Sequence, residues 1–557
     1  MKKNLKFRIA LTIMLALCMS AFTHKATAQF SGGDGSENNP YMITTAEQLA
    51  QLATFVNDRD ENYNDKCYKL GNDISLAAYQ SGEGWTPIGG DWSYYAFQGS
   101  FNGNNKKITD LYINMTGYQS YMGLFGYISE GRVYDLGVEN ANVTGNDAVG
   151  CVAGYICNSS TVTNCYSTGK VTGKQHLGGV VGEAFKSAIT NCYSSCEVTG
   201  NDNSYSYTGG VIGEIQKGTI SNCYSTGKVK GIEWVGGVAG RLDELCTMSN
   251  CYFTGEVSGI EDVGGVVGWC YGSSTMSNCY STGKVSGNED VGGIVGYLQN
   301  DCTLSNSYST SEVSGNKYVG GVAGYVLVSY VKNCYATGKI SGNTNIAGIA
   351  GYLGSTGTVS YCVALNPVVE GMGMQISRVV GEKHVTAALF QNAAWNGIKN
   401  INGNTNWDYK GANNFDGEDM STQTIKSDGT LGGCFTAAGG WTTQNGKLPG
   451  LFGNTVDMPA HLSGGVGIVE TSSLASPHVY PNPVNYELKI TNYEGGDANK
   501  GACPLVEIYD VMGRRVATVE TGCAPSLQTE TTINVSFLPS GVYFLKINNK
   551  TIKFIKQ

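Results

Sequence analysis

Stacked carboxylates are the first candidates for chemistry in this chain. Glu233, Glu261 and Glu289 recur at intervals of 28 residues, and Asp262 and Asp290 follow the last two. If coils stack in register, like charges about 5 Å apart are unfavourable unless water solvates them or a cation bridges them. The pattern predicts an exposed, splayed acidic turn or a weak Ca²⁺ site, and only last a carboxylate pair for glycoside hydrolysis. Tyrosines offer a second chemistry: Tyr166, Tyr193, Tyr224, Tyr252, Tyr280, Tyr308 and Tyr335 recur at nearly the same interval. An outward row of rings stabilises its sheet by stacking, or stacks on sugar faces as an extended ligand-binding stripe. Tyr205 and Tyr207, in an insertion that breaks the interval, are the second ligand-binding candidates. Outside the first 28 residues the only histidines are His176, His384, His461 and His478. HExxH, GxSxG, CxxC and P-loop patterns are absent. No catalytic residue is assigned, and the chain is expected not to be an enzyme.

These residues are positioned by a repeat. VGGIVG at Val291 recurs as LGGVVG at Leu177, TGGVIG at Thr208, VGGVAG at Val235, VGGVVG at Val263 and VGGVAG at Val319. Between the copies runs a second landmark, NCYSTGKVSG at Asn278, whose cysteine position falls at 165, 192, 223, 251, 279, 307 (a serine), 334 and 362. The position three before it is always apolar, from Val162 to Val359, and the position six after it is always Val or Ile. Five after it, Lys170, Glu197, Lys228, Glu256, Lys284, Glu312 and Lys339 alternate in sign. Strands stacked roughly 4.8 Å apart in register would set each lysine between two glutamates. The reading is an all-β chain built on a parallel β-solenoid of about 28-residue coils. Alternation along the strand turns Cys279, Ser281, Gly283 and Val285 inward and Tyr280, Thr282 and Lys284 outward. The cysteine column is expected to be reduced, because parallel stacking points its Cβ–S vectors the same way. Tandem coils of this kind, from about Tyr121 to Gly381, resemble the GLUG-motif repeat family. That resemblance implies kinship with bacterial surface adhesins and with non-catalytic parts of IgA-cleaving metallopeptidases.

The rest of the chain frames the repeat. Residues 1–28 read as a signal peptide: Lys2, Lys3, Lys6 and Arg8, then an apolar run, then Ala26-Thr27-Ala28. Residues 29–120 are expected to form an N-terminal cap and first coils, since an open first coil exposes core and unpaired edge. There Thr44 and Glu47 suggest a capping box for a helix over 46–56. Residues 121–385 are the repeat, 386–462 a terminal coil and C-terminal cap, and 463–476 a linker. Residues 477–557 alternate short strands, which suggests a small Ig-like β-sandwich. Cys503 and Cys523 flank a predicted hairpin symmetrically and could pair as a disulfide. This last segment resembles the type A C-terminal sorting domain of type IX secretion substrates. The resemblance rests on Tyr480-Pro481-Asn482-Pro483, Asp510 with Gly513, Leu538 with Gly541-Val542-Tyr543, and Lys553 to Lys556. It implies the type IX machinery and its sorting peptidase as partners, surface lipopolysaccharide as anchor, and an exported, cell-surface location.

Bulk numbers agree with a β- and turn-rich exported protein. Glycine takes 78 of 557 positions and charged residues only 15%. A net charge of −9 argues against a nucleic-acid partner. The functional expectation is adhesion or binding of a glycan or host protein. Two alternatives stand beside it: a carbohydrate-active enzyme, which requires an acidic cluster on one face, and a purely structural surface stalk.

Overall fold

A computed structural model describes residues 30–90, 95–117, 120–201 and 206–463, and the strands of the C-terminal segment between 478 and 556. The signal-peptide reading, the linker, Tyr205, Cys503, Cys523, Pro481, Asn482, Pro483, Gly513 and Leu538 lie outside the described residues.

The described strands from Tyr41–Ile43 to Glu418–Met420 form the parallel β-solenoid that the repeat demands. One coil shows the plan: Thr275–Ser277, Tyr280–Ser281 and Lys284–Ser286 belong to one sheet, Glu289–Gly292 to a second and Val295–Gln299 to a third. Each strand pairs in parallel with its counterpart one coil on, as Cys251's neighbour Tyr252 does with Tyr280 and Val263 does with Val291. The strands Tyr41–Ile43, Cys67–Leu70 and Ser100–Thr109 continue the first sheet downwards, so residues before 120 already supply stacked coils.

The core follows from the columns. Val162, Ile189, Ile220, Met248, Met276, Leu304, Val331 and Val359 are fully buried, as is the cysteine column from Cys165 to Cys362. Each cysteine thiol lies 3.2–3.3 Å from a carbonyl two residues back, for example Cys223 Sγ to Ser221 O and Cys279 Sγ to Ser277 O. The thiols are free and held to backbone, as the common direction of their Cβ–S vectors requires. The column's cysteines are expected to resist a thiol alkylating agent in the native protein and to react fully once it is unfolded. Labelled mass before and after denaturation checks this; native labelling of Cys251 or Cys279 would contradict the burial.

An asparagine precedes each of these cysteines except Cys362, where Tyr361 takes its place at φ 54°, and here the strand turns. Asn164, Asn191, Asn222, Asn250 and Asn278 sit at φ between 53° and 57°, a left-handed conformation that asparagine tolerates better than most residues. Their amides chain from coil to coil, Nδ2 donating to the previous Oδ1 at 3.0 Å from Asn191 to Asn250 and 3.3 Å at Asn278. The charge column is also in register, Lys228 beside Glu256, Glu256 beside Lys284 and Lys284 beside Glu312. Lys228 Nζ is 3.7 Å from Glu256 and both are exposed, so the gain is small.

Both ends depart from expectation in detail. The N-terminal helix spans Ala46–Asn57, and its cap is Thr45, whose side chain accepts from the Gln48 amide. Gln48 Oε1 in turn accepts from the Thr44 amide at 2.8 Å, so the reciprocal pair is shifted by one from Thr44/Glu47. After the last coil strand, Glu418–Met420, the chain turns through a short helix, Thr422–Ser427. It then runs back along the side of the solenoid. Leu431, Phe435, Trp441, Leu448, Leu451 and Leu462 pack there with Tyr308 and Tyr335.

The C-terminal unit, described by itself, contains a four-stranded antiparallel sheet and a three-stranded one. Tyr480, Asp510, Gly541, Tyr543, Lys553 and Lys556 all lie on its strands. Tyr543 pairs with both Asp510 and Phe554.

Candidate functional site

The tyrosine column forms as an unbroken stack. Rings from Tyr166 through Tyr193, Tyr224, Tyr252, Tyr280 and Tyr308 to Tyr335 lie 4.6–5.1 Å apart at 2–6°. Both faces of every ring between the two ends therefore meet another ring of the stack, which leaves edges and hydroxyls as the parts solvent can reach. Tyr308 and Tyr335 are only 6% and 0% exposed. They lie beneath Trp441 and Phe435, and the Tyr335 hydroxyl donates to Pro449 O at 2.6 Å. Phe452 reaches Tyr280 and Tyr252 as well. The expectation that Tyr308 and Tyr335 face a ligand is thus corrected: the returning C-terminal segment covers them.

The acidic set divides. Glu233, Glu261 and Glu289 stack in register, and the run ends on Lys317, whose Nζ is 2.6 Å from Glu289. Burial raises the Glu261 carboxyl pKa, and Glu233 and Glu289 add to the rise. Asp262 and Asp290 are not exposed turn residues, being only 5% and 7% exposed. Both take φ near 53°, which breaks strand alternation and turns them away from the adjacent glutamates. Burial raises the pKa of both, and for Asp290 the neighbouring Asp262 raises it further. The five carboxylates do not converge as one Ca²⁺ cage; among the described residues the only three-residue metal-competent cluster lies elsewhere.

That cluster belongs to a face the repeat hides. In most coils a residue at positive φ stands two positions before the glycine pair, and another side chain follows the motif's last glycine. The first column reads Tyr121, Ala148, His176, Tyr207, Trp234, Asp262, Asp290, Tyr318, Asn345. The second reads Tyr127, Tyr155, Glu183, Glu214, Arg241, Trp269, Tyr297, Tyr325, Tyr352 in continuous register. The tyrosine and cysteine columns keep one chemistry; these two mix aromatic, acidic and basic side chains, as does the neighbouring column Ser129, Cys157, Phe185, Gln216, Asp243, Tyr271, Gln299, Leu327.

Aromatic rings link the coils. His176 stacks on Tyr207 at 4.9 Å, Tyr207 on Trp234 at 4.6 Å and Trp234 on Trp269 at 5.4 Å. Trp269, Tyr297 and Tyr325 continue the line. Charges are interleaved with them. His176 Nδ1 is 2.6 Å from Asp147 and its Nε2 2.9 Å from Glu214. Arg241 donates to Glu214 at 3.0 Å, to Asp243 at 2.9 Å and to the Tyr207 hydroxyl at 3.3 Å, with its guanidinium 4.3 Å over the Trp269 ring. Burial pulls the His176 pKa down, but Asp147, Glu214 and Glu183 outweigh it and push it up to about 10. Burial, reinforced by Glu214 and Asp147 and opposed by His176, pushes the Glu183 carboxyl up to about 7. An acidic cluster on one face is therefore present, at Asp147, Glu183, Glu214 and Asp243, though not among the residues singled out from the sequence.

Four buried polar atoms of this face have no protein hydrogen-bond partner: Arg241 Nε, Trp269 Nε1, Asp262 Oδ1 and Asp290 Oδ1. Orphans of this kind are rare in folded proteins and call for a reason at each position. Of the residues named beforehand, Tyr207, Asp262 and Asp290 belong to this face. His176, Glu183, Glu214, Arg241, Trp234 and Trp269 were missed as a group. The signal was available in the internal alignment, as the columns that fail to repeat.

Comparison with known proteins gives the chain's modules. Residues 478–557 match the "Secretion system C-terminal sorting domain", and 204–230, 287–314 and 315–341 match "The GLUG motif". A "Putative Gly-rich membrane protein" of Evansella cellulosilytica is 39% identical over 119 residues, covering 21% of this chain and 12% of its own length. "Halomucin" of Haloquadratum walsbyi is 32% identical over 162 residues, covering 28% of this chain and 2% of its own length. The chain thus spans only a small part of these relatives. A crystal structure of a "putative immunoglobulin A1 protease from Bacteroides ovatus" aligns with 46% of this chain and 78% of its own, at 24% identity and a TM-score of 0.39. GLUG repeats followed by a sorting domain imply a secreted, cell-surface protein. Among the described residues no helix is long and apolar enough to cross a membrane.

Proposed function

We propose that this GLUG-repeat protein, exported through its sorting domain, works in adhesion. Its solenoid binds an extended ligand, a glycan chain or a host protein, along the face of His176, Tyr207, Trp234, Trp269 and Tyr297. The type IX machinery and its sorting peptidase are its export partners, and surface lipopolysaccharide is its anchor. One observation carries the binding reading. These two mixed columns hold four of the seven buried side-chain polar atoms that lack a protein partner among the described residues. A stalk needs only columns that repeat. A polar ligand that tracks the face explains both the variety and the unmet hydrogen bonds, with tyrosine and tryptophan supplying rigid contact area.

Arrays of glycans and host matrix proteins test this. The protein is expected to bind, and Trp269→Ala with Tyr297→Ala to weaken binding by about tenfold or more, on the scale of lost aromatic hot spots. Tyr193→Ala and Tyr224→Ala, on the stacked column, are expected to leave it within about twofold. Melting curves establish that each variant is folded. Silence on both arrays would favour the structural stalk. A second reading, a carbohydrate-active enzyme, is favoured by the acidic cluster alone. Turnover of an arrayed glycan that disappears in Glu183→Gln would establish it.

A further inference from the structure

We propose that His176, Glu183 and Glu214 form a binding site for a late first-row divalent cation, with Zn²⁺ as the type. A ligand atom of each lies within 4.8 Å of those of the other two, so modest side-chain rotation brings them to the spacing of a small cation's coordination shell. Glu183 and Glu214 come from adjacent stacked strands of one sheet, in register, and His176 from a strand of the next sheet in the same coil as Glu183.

The surroundings distinguish this cluster from a chance group of acids. His176 is held from both sides, Nδ1 on Asp147 at 2.6 Å and Nε2 toward Glu214 at 2.9 Å. A carboxylate on one imidazole nitrogen fixes the ring and leaves the opposite nitrogen for a metal, the usual outer-shell arrangement of a metal-bound histidine. The nitrogen facing Glu214 is then the ligand, and the cation takes the place of the proton between them. Glu214's other oxygen is anchored by Arg241 at 3.0 Å, so that carboxylate is oriented before any ion arrives. Its partner Glu183 has its oxygen 3.9 Å from His176 Nδ1, beyond hydrogen-bonding distance, and a side-chain rotation must carry it toward the Nε2 side to complete the site. The charge count favours a cation too. Asp147, Glu183, Glu214 and Asp243 face His176 and Arg241, with Lys217, itself paired to Glu244, beyond Asp243. An imidazole nitrogen with two carboxylates suits zinc and its neighbours better than Ca²⁺ or Mg²⁺, which take oxygen alone. Because His176 also begins the aromatic line through Tyr207, a cation with an open position here would stand at one end of the proposed binding face. The site itself does not depend on that face binding anything.

Zn²⁺ titration of the metal-stripped protein by calorimetry, with metal analysis after dialysis, tests the assignment. A single Zn²⁺ per chain, removed by chelator, is expected. Glu183→Gln, which breaks no hydrogen bond of the cluster, is expected to weaken Zn²⁺ binding at least about tenfold. Asp147→Asn leaves all three ligands in place and is expected to cost about 10–100-fold, the usual effect of an outer-shell partner. Glu261→Gln, in the separate glutamate row, serves as a control and should change nothing. His176→Gln supplies a further loss if it folds; if it does not, the two milder variants decide. No Zn²⁺ above background, Ca²⁺ taken up in preference to Zn²⁺, or Zn²⁺ binding unchanged in both Glu183→Gln and Asp147→Asn would overturn the proposal.

Discussion

Gly292→Ala is expected to abolish the native fold of its coil, with a loss of about 3–5 kcal/mol in stability. A Cβ at Gly292 would lie 1.9 Å from Val295 O and 2.7 Å from Gly324 N. Both are backbone atoms, fixed by the parallel ladders on either side, so neither can yield. The equivalent contact is 1.9 Å at Gly178, 1.8 Å at Gly264 and 1.9 Å at Gly320. The glycine pair is thus required by space at the corner between two sheets, and not by an unusual dihedral angle. Gly287 supplies the comparison. There a Cβ would meet two side-chain carbons, Val291 Cγ2 at 2.8 Å and Val263 Cγ2 at 2.9 Å, which can shift where a backbone atom cannot. Gly287→Ala is expected to cost about 1–2 kcal/mol, less than Gly292→Ala. Urea unfolding followed by circular dichroism separates the two. Equal midpoints would show that the corner has room the structure does not display.

The second large effect is a dependence on pH at Asp262 and Asp290. Their carboxyls stack in successive coils, buried, each with an oxygen lacking a protein partner. The charged or titratable groups facing them are Glu233, Glu261 and Glu289, with Tyr297 and Tyr325 further along and Lys317 one coil on. Burial raises both folded-state pKa values above that of an unfolded aspartate. A raised folded pKa means that the folded protein holds protons the unfolded chain releases. The associated stability is fully present at acid pH, below the unfolded pKa. It is lost as pH rises from there through the folded values. Melting temperature is therefore expected to fall on going from mildly acid to alkaline buffer. Asp290→Asn removes one of two like charges and keeps a hydrogen-bonding group, so it is expected to stabilise the protein at pH 8 by about 1–3 kcal/mol. It should also flatten the pH profile. A profile that is unchanged in Asp290→Asn would place the titration elsewhere.

How much was legible follows from what repeats. The buried row from Val162 to Val359, the cysteine column and the Lys/Glu alternation each restate one environment in every coil. Their spacing alone therefore gave the period, the inward face and the register. Asp262 and Asp290 were misplaced because alternation assumes extended backbone, and the left-handed residue before the glycine pair interrupts it. The mixed face was missed for a related reason. His176, Trp234 and Asp262 share a column only through geometry, since nothing in their chemistry marks them as equivalents. The burial of Tyr335 was invisible for a third reason. Its cover, Phe435 and Trp441, comes from an aperiodic segment about a hundred residues further along the chain.

The alternating lysine and glutamate row has a consequence for how such a gene can change length. Tandem repeats gain and lose units by slippage and unequal recombination. Here loss of one coil between Lys228 and Lys284 would bring two lysines face to face, while loss of two adjacent coils restores opposite neighbours. Removal of coils in pairs therefore keeps the alternation of this row, and removal of a single coil breaks it.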